Sequence, residues 1–171
     1  MLTLSFQDLL QLRTVTAFQK RGLSTRFIRK AILHAQELLG RERPFATARF
    51  RTDGASILLQ VDREGEEPEL EDIFTGQKEM AKVIERSLQD VEFDDMLPLL
   101  WRPRGRAGGV LLDPSRSFGA PIEEETSIPT AALAEAVEAE GSVAAVARLY
   151  EVDRRAVDRS VRFEAWLARA A

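Results

Sequence analysis

EGSVAAVARLYEVDRRAVDRSVRFEAWL, residues 140–167, decides how this chain is read. Gly141 can stop one helix and Ser142 can cap the next. Ala147, Val152 and Val157 stand five apart, the spacing that locks two short helices at a tight corner. Val143, Val146, Leu149 and Val161 complete the expected core of that corner. Asp153 can cap the second helix by accepting its free backbone N–H groups. Arg154, Arg155, Arg159 and Arg162 then project from it. Arginines at such a helix start can reach phosphates or base edges. Asp153, Asp158 and Glu164 lie on the same helix and can neutralise them, which would leave a structural corner or a protein contact. Residue types alone leave both readings open.

Upstream of the corner, a helix is expected from Thr130 to Glu140, with Leu133 and Val137 inward. GVLLDP, 109–114, reads as a short strand, and SFGAPIEEETSIP, 117–129, is rich in turn formers. RPRGRAGG, 102–109, reads as a flexible basic linker, and the domain boundary is expected there. The expected division is 1–101, the linker 102–109, and a helical domain 110–171.

The first part opens on a helix start at Ser5, with Asp8 in its first turn. Leu9, Leu12, Val15 and Phe18 recur at helical spacing, and Gly22 ends the run. Ser24 can cap a second helix whose apolar face carries Phe27, Ile28, Ala31 and Leu38, and Gly40 stops it. PFATARF and ASILLQV alternate apolar and polar residues around Thr52-Asp53-Gly54, which predicts a β-hairpin wing carrying Arg49 and Arg51. The stretch 62–72 is acidic and reads as a loop. A helix is expected over 77–90, with Met80, Val83, Ile84 and Leu88 inward. VEFDDMLPLLWRP, 91–103, reads as extended and then irregular. The expected fold class is therefore mainly α with a small β component: a helix pair with a hairpin wing, then a helical domain containing a helix-turn-helix-like corner.

Hydrophobic residues make up 44% of the 171, enough for a buried core. The net charge of -4 conceals blocks of +7 over 1–51, -10 over 52–100 and -1 over 101–171. Such blocks predict separate partners for separate segments, or mutual neutralisation within the fold or a dimer. No apolar run approaches the roughly 18–20 residues that span a bilayer, and the first residues carry no export signal. The chain has no cysteine, so thiolate chemistry and disulfides are excluded; a reducing cytoplasm fits. His34 is the sole histidine and has no second ligand of its kind beside it. The acidic groups at 92–95 and 123–125 are adjacent in sequence only and read as solvated faces. No nucleophile elbow, phosphate loop or zinc-protease motif occurs. Catalytic, cofactor and metal residues are accordingly expected to be none.

Residues 110–166 resemble an uncharacterised bacterial domain family, DUF four-three-three, seen in VapB-type antitoxins. The resemblance rests on VLLDP, SFGAP, SIPTAALAEAV, AEGSVAAVARLYEV and VRFEAWL, with Ser127 where many members have arginine. Residues 4–40 resemble the third and fourth helices of MerR-like DNA-binding domains, through FQDLLQLRTVTAFQKRGLSTRFIRKAI, 6–32. RPFATARFRTDG, TGQ and LWRP resemble the middle of antitoxins that combine both units. In MerR-like domains the groove-reading helices precede this pair, and no residues before Leu4 supply them. The resemblance implies a cytoplasmic, homodimeric, non-enzymatic antitoxin of a type II system, with a PIN-like ribonuclease toxin as partner. It also implies operator DNA as a second partner, through Arg13, Lys20, Arg21, Arg26, Arg29, Lys30, Arg49, Arg51, Arg154, Arg155 and Arg159. Trp101, Arg102, Arg104, Arg106 and Arg116 are the candidate toxin contacts. The competing reading is a DNA-binding transcription regulator without a toxin.

Overall fold

A computed structural model describes residues 4–65, 70–74 and 77–170. It is mainly helical with a small antiparallel β component. The chain divides into two compact units, one of residues 1–89 with 93–98, the other of 90–92 with 99–171.

In the first unit, α1 (Phe6–Lys20) starts at Ser5, which shares a reciprocal capping box with Asp8. Arg43 pairs with Asp8 from the far side of α2 in sequence. The bond from Arg43, followed by those from Ser5, lowers the Asp8 pKa from 3.8 to about 2. A depressed carboxylate pKa stabilises the fold above the unfolded value and stops doing so as pH falls through the folded one. Thermal melts taken from about pH 5 down to about pH 2 should thus show acid loss in the native chain. Asp8→Asn should flatten part of that loss, and superimposable pH profiles would refute the assignment.

Thr25–Leu39 forms α2, capped by Ser24 and closed by Gly40 in the left-handed region. A 3₁₀ turn, Pro44–Ala46, leads to Thr47, whose hydroxyl caps α3 (Ala48–Arg63). A single turn, α4 (Leu70–Ile73), precedes α5 (Gln77–Ser87). The core gathers Phe18, Phe27, Ile28, Phe45, Phe50, Leu58, Leu70, Met80 and Ile84. Phe45 lies at its centre, edge-on to Phe18 at 5.9 Å and stacked on Phe50 at 4.3 Å.

The expected hairpin is overturned: the Thr52-Asp53-Gly54 turn lies inside α3. Phe50, Gly54, Ile57, Leu58 and Val61 repeat at three and four residues and are all buried, which is the period of a helix. Glycine stands there for closeness, because a Cβ would meet Ile84 Cδ1 and Phe50 Cζ at 3.0 Å. Arg49 and Asp53 are a helical i,i+4 pair rather than hairpin neighbours.

The buried face of α1 also differs from expectation. Leu10, Thr14 and Phe18 face inward, and Leu12 is exposed. Thr14 is admitted to the core because its hydroxyl bonds the Leu10 carbonyl and the buried Ser87 hydroxyl of α5. Leu38 of α2 is likewise exposed. The helix expected over 77–90 ends at Ser87, with Met80, Val83, Ile84 and Leu88 buried as expected. Within 62–72, residues 62–63 belong to α3 and 70–72 to α4, while 66–69 lie outside the described residues.

A two-stranded sheet pairs β1 (Val91–Asp94) with β2 (Leu97–Trp101). The second unit then pairs β3 (Val110–Leu111) antiparallel with β4 (Ile122–Glu123), Val110 opposite Glu123 and Leu111 opposite Ile122. Residues 102–109, expected to be a flexible linker, are built into this unit. The Arg102 amide bonds the Asp90 carbonyl, and Arg106–Gly108 is a 3₁₀ turn. Three helices close the unit: α6 (Thr130–Glu140), α7 (Val143–Leu149) and α8 (Arg154–Ala170). Leu133, Val146, Ala147 and Val157 form their core, with Val137, Val143 and Val152 packed on it. The corner therefore takes the predicted form. Gly141 ends α6, Ser142 caps α7, and Asp153 accepts from the Arg155 amide. Leu149 departs from expectation at 65% exposed, because the chain leaves α7 at Tyr150 and the Val152 amide turns back onto Ala147.

Candidate functional site

The first unit presents a positive surface. Helical spacing of three and four puts Arg26, Arg29 and Lys30 on one side of α2, and all three are exposed. No described acid pairs with them. Like charges at this spacing repel by a few tenths of a kcal/mol per pair, so the arrangement costs the free protein something and suits an anion. Between α1 and α5 lies a groove of about 470 Å³ lined by Arg13, Thr16, Lys20, Arg21 and Arg86 among others. Its cations differ in availability. Arg13 donates to the carbonyls of Arg86 and Gln89 at the end of α5, and Arg21 pairs with Glu79 at 2.8 Å. Lys20 and Arg86 are exposed beside them. Arg51 is exposed on α3, and Arg49 is held by Asp53.

The second unit treats its arginines differently. Arg102 is 9% exposed and bonds Glu124 and Glu92 together. The hydrogen bond to Glu124, against the effect of burial and with help from Glu92, holds its pKa above the ordinary value. It was expected to be mobile; it is a buried hub. Arg106 is 83% exposed and reaches the same Glu92 at 3.1 Å. Arg116 bonds Asp113 at 2.8 Å and the Ser127 hydroxyl at 3.1 Å. Burial raises the Asp113 pKa, but bonds from Ser115 and Arg116 outweigh it and leave the carboxyl below its usual range. Trp101 is half-buried, its backbone bridged to Leu112. Arg104 lies over the Trp166 ring, 5.7 Å from its centre.

Arg159, expected on a DNA-facing surface, instead turns inward to Glu123 and Glu125. Burial works against its charge, and Glu123 then Glu125 outweigh it, so its pKa is raised. Glu123 is 0% exposed, and its other oxygen accepts the Glu125 and Thr126 amides. The guanidinium passes directly over Gly109, where a Cβ would sit 2.5 Å from Arg159 Cδ. Arg154 and Arg155 remain exposed on the first turn of α8, and Arg162 is exposed one turn past Arg159, so of the four corner arginines Arg159 is the one that turns inward.

Three functional candidates escaped the sequence reading. Arg86 is far in sequence from the basic block and joins it only through the packing of α5 on α1. Glu79 does the same as the partner of Arg21. Phe118 is fully exposed in a loop where Ser117, Phe118 and Gly119 all have positive φ. The Asp113, Ser115 and Arg116 bonds hold the residues just before that loop. Non-glycine residues in that region carry strain of order 1–3 kcal/mol each. The S-F-G-A-P motif was legible; its outward aromatic was not.

Among the described residues, no group of three or more His, Cys, Asp or Glu is placed to hold a metal ion. No helix among them is long and apolar enough to cross a membrane. His34 is half-buried on α2, and its Nε2 has no hydrogen-bond partner.

Taken together, the elements define a mainly helical protein of two units with short antiparallel strands. No protein-family profile matches the chain, and no curated protein matches it. Among solved structures, the X-ray crystal structure of Rv2018 from Mycobacterium tuberculosis is similar. The TM-score is 0.71 at 22% identity, over 92% of this chain and 78% of that one. The likeness is one of fold.

Proposed function

We propose that this chain is a non-enzymatic binding protein, the antitoxin of a bacterial type II toxin–antitoxin system. It acts in the cytoplasm as a homodimer, neutralises a PIN-like ribonuclease toxin by protein–protein contact, and contacts operator DNA. The observation that carries the binding role is the exposed Arg26, Arg29 and Lys30 face of α2, unpaired by any described acid. Such a face suits a phosphate backbone, whose contacts position a protein without reading sequence. The toxin partner rests on the resemblance of residues 110–166. Of the candidate toxin contacts Arg102 turns inward, so the toxin contact proposed here uses outward groups of the second unit, Arg106, Arg116 and Phe118.

Tagged chain co-expressed with a PIN-like nuclease encoded beside its gene should co-purify with it and suppress its RNA cleavage. Gel shifts of the upstream DNA at several salt concentrations should show affinity falling steeply with salt. Arg26→Ala/Arg29→Ala/Lys30→Ala should reduce the slope of log affinity against log salt by about 2–3, near 0.9 per phosphate lost. The second reading, a transcription regulator without a toxin, is favoured by the same basic face, which needs no toxin to act. Tight operator binding without nuclease capture would select it. If neither DNA nor nuclease bound, both readings would fall.

A further inference from the structure

The second unit contains a cleft apart from the surfaces to which the proposed function assigns DNA and toxin. It has a volume of about 250 Å³ and is lined by Arg104, Ala107, Gly108, Arg159, Arg162 and Phe163. Three guanidinium groups and no carboxylate line it. We propose that this cleft is a binding site for a phosphate group.

Each arginine is held in place yet keeps donors unused. Arg104 lies over Trp166 and has no acid partner among the described residues. Arg162 gives one terminal nitrogen to Asp158 at 2.6 Å and is otherwise largely exposed. Arg159 directs Nη2 to both Glu123 and Glu125, while its Nε is buried without a hydrogen bond. An arginine has five N–H donors in a flat fork matched to phosphate or carboxylate oxygens, so the pairs already formed do not exhaust the three.

The backbone makes room for this convergence. Ala107 and Gly108 belong to the 3₁₀ turn that forms one wall. A Cβ on Gly108 would lie 2.8 Å from Arg104 Cβ, so glycine lets the turn close against the stem of that arginine. Arg159 and Arg162 are one turn apart on α8, each with carboxylate already on one edge of its fork, Glu123 and Glu125 for Arg159 and Asp158 for Arg162. Arg104 adds a cation with no described acid partner, and a phosphate has enough oxygens to accept from all three forks at once where a carboxylate has two, which points to phosphate. The volume also indicates a small group, being below the roughly 300–1,000 Å³ typical of drug-sized ligands. The group can be free phosphate or the terminal phosphate of a nucleotide; both offer the same oxygens.

Trp166 supplies a local reporter, because Arg104 covers its ring. The intact ¹⁵N-labelled chain is titrated at fixed ionic strength with inorganic phosphate, and separately with adenosine monophosphate. The indole N–H signal is assigned by Trp166→Phe. Saturable movement of that signal is expected with at least one of the two. Equal affinity assigns the site to free phosphate, and tighter nucleotide binding assigns it to a phosphomonoester. Arg104→Gln should weaken the better ligand by about tenfold or more, the loss of one charge-assisted hydrogen bond. Arg162→Gln should also weaken it. Arg26→Gln/Arg29→Gln should not, which separates this cleft from the basic face of the first unit. Arg159 is left intact because it holds Glu123 in place. A linear drift to tens of millimolar with both ligands, or an Arg104→Gln affinity equal to the native one, overturns the proposal.

Discussion

Arg159→Ala is expected to destabilise the second unit by about 3–5 kcal/mol, the usual cost of removing one member of a buried ion pair. The effect arises from what is left behind. Glu123 has no exposed surface, and Oε1 would lose its cation while Oε2 kept the Glu125 and Thr126 amides. A buried carboxylate in that position is left without its compensating cation, which is unfavourable. Adding Glu123→Gln to Arg159→Ala should recover about half of the loss, since a neutral amide keeps an acceptor without the charge. Arg159→Lys should not rescue, because a single ammonium cannot reproduce the flat contact across Gly109. Urea denaturation followed by tryptophan fluorescence reads this unit alone, as Trp101 and Trp166 both lie in it. A loss under about 1 kcal/mol, the scale of an exposed pair, would show that the interaction is a surface one.

Gly54→Leu should destabilise the first unit by about 2–3 kcal/mol, through overpacking of the α3–α5 contact. A Cβ alone already meets Ile84 Cδ1 and Phe50 Cζ at 3.0 Å, and Phe50, stacked on Phe45, can give a few tenths of an ångström for a methyl group but not the room a leucine needs. Gly54→Ala should be close to neutral. Alanine gains up to about 1 kcal/mol in a helix interior relative to glycine, which offsets a shift of a few tenths of an ångström by the Ile84 tip. Far-UV circular dichroism during denaturation, compared across the three chains, checks the ordering. If leucine were tolerated as well as alanine, α3 and α5 would not pack at this glycine. A hairpin tip would also accept leucine poorly, but alanine there would be costly too, so the alanine variant separates helix from turn.

Helix stops and starts were readable wherever one residue acts on its neighbours. Ser5 with Asp8, Ser24, Gly40, Gly141, Ser142 and Asp153 all sit where their short-range chemistry predicts. The corner of α7 and α8 was readable for the same reason: Ala147, Val152 and Val157 meet across a few residues of chain. The wing at Asp53-Gly54 was misread because an Asp-Gly pair has the same local preference at a hairpin tip and at a crowded helix crossing. Phe50, Ile57, Leu58 and Val61 held the helical period, but two short alternating runs beside them matched a strand equally well.

The arginines show where local chemistry stops. Nothing near Arg102 or Arg159 in sequence distinguishes them from Arg26 or Arg29, since the acids that claim them, Glu92, Glu124, Glu123 and Glu125, come from other strands and loops. Burial is set by what packs above a side chain, and a charge partner tens of residues away has no signature in the local pattern. The sequence alone therefore determined the mainly helical class, the caps and the corner, because those depend on interactions within a turn or two of chain. Tertiary structure alone decided which cations face outward, why Gly54 and Gly109 are glycine, and which arginines meet at the cleft, because each depends on distance in space between residues far apart along the chain.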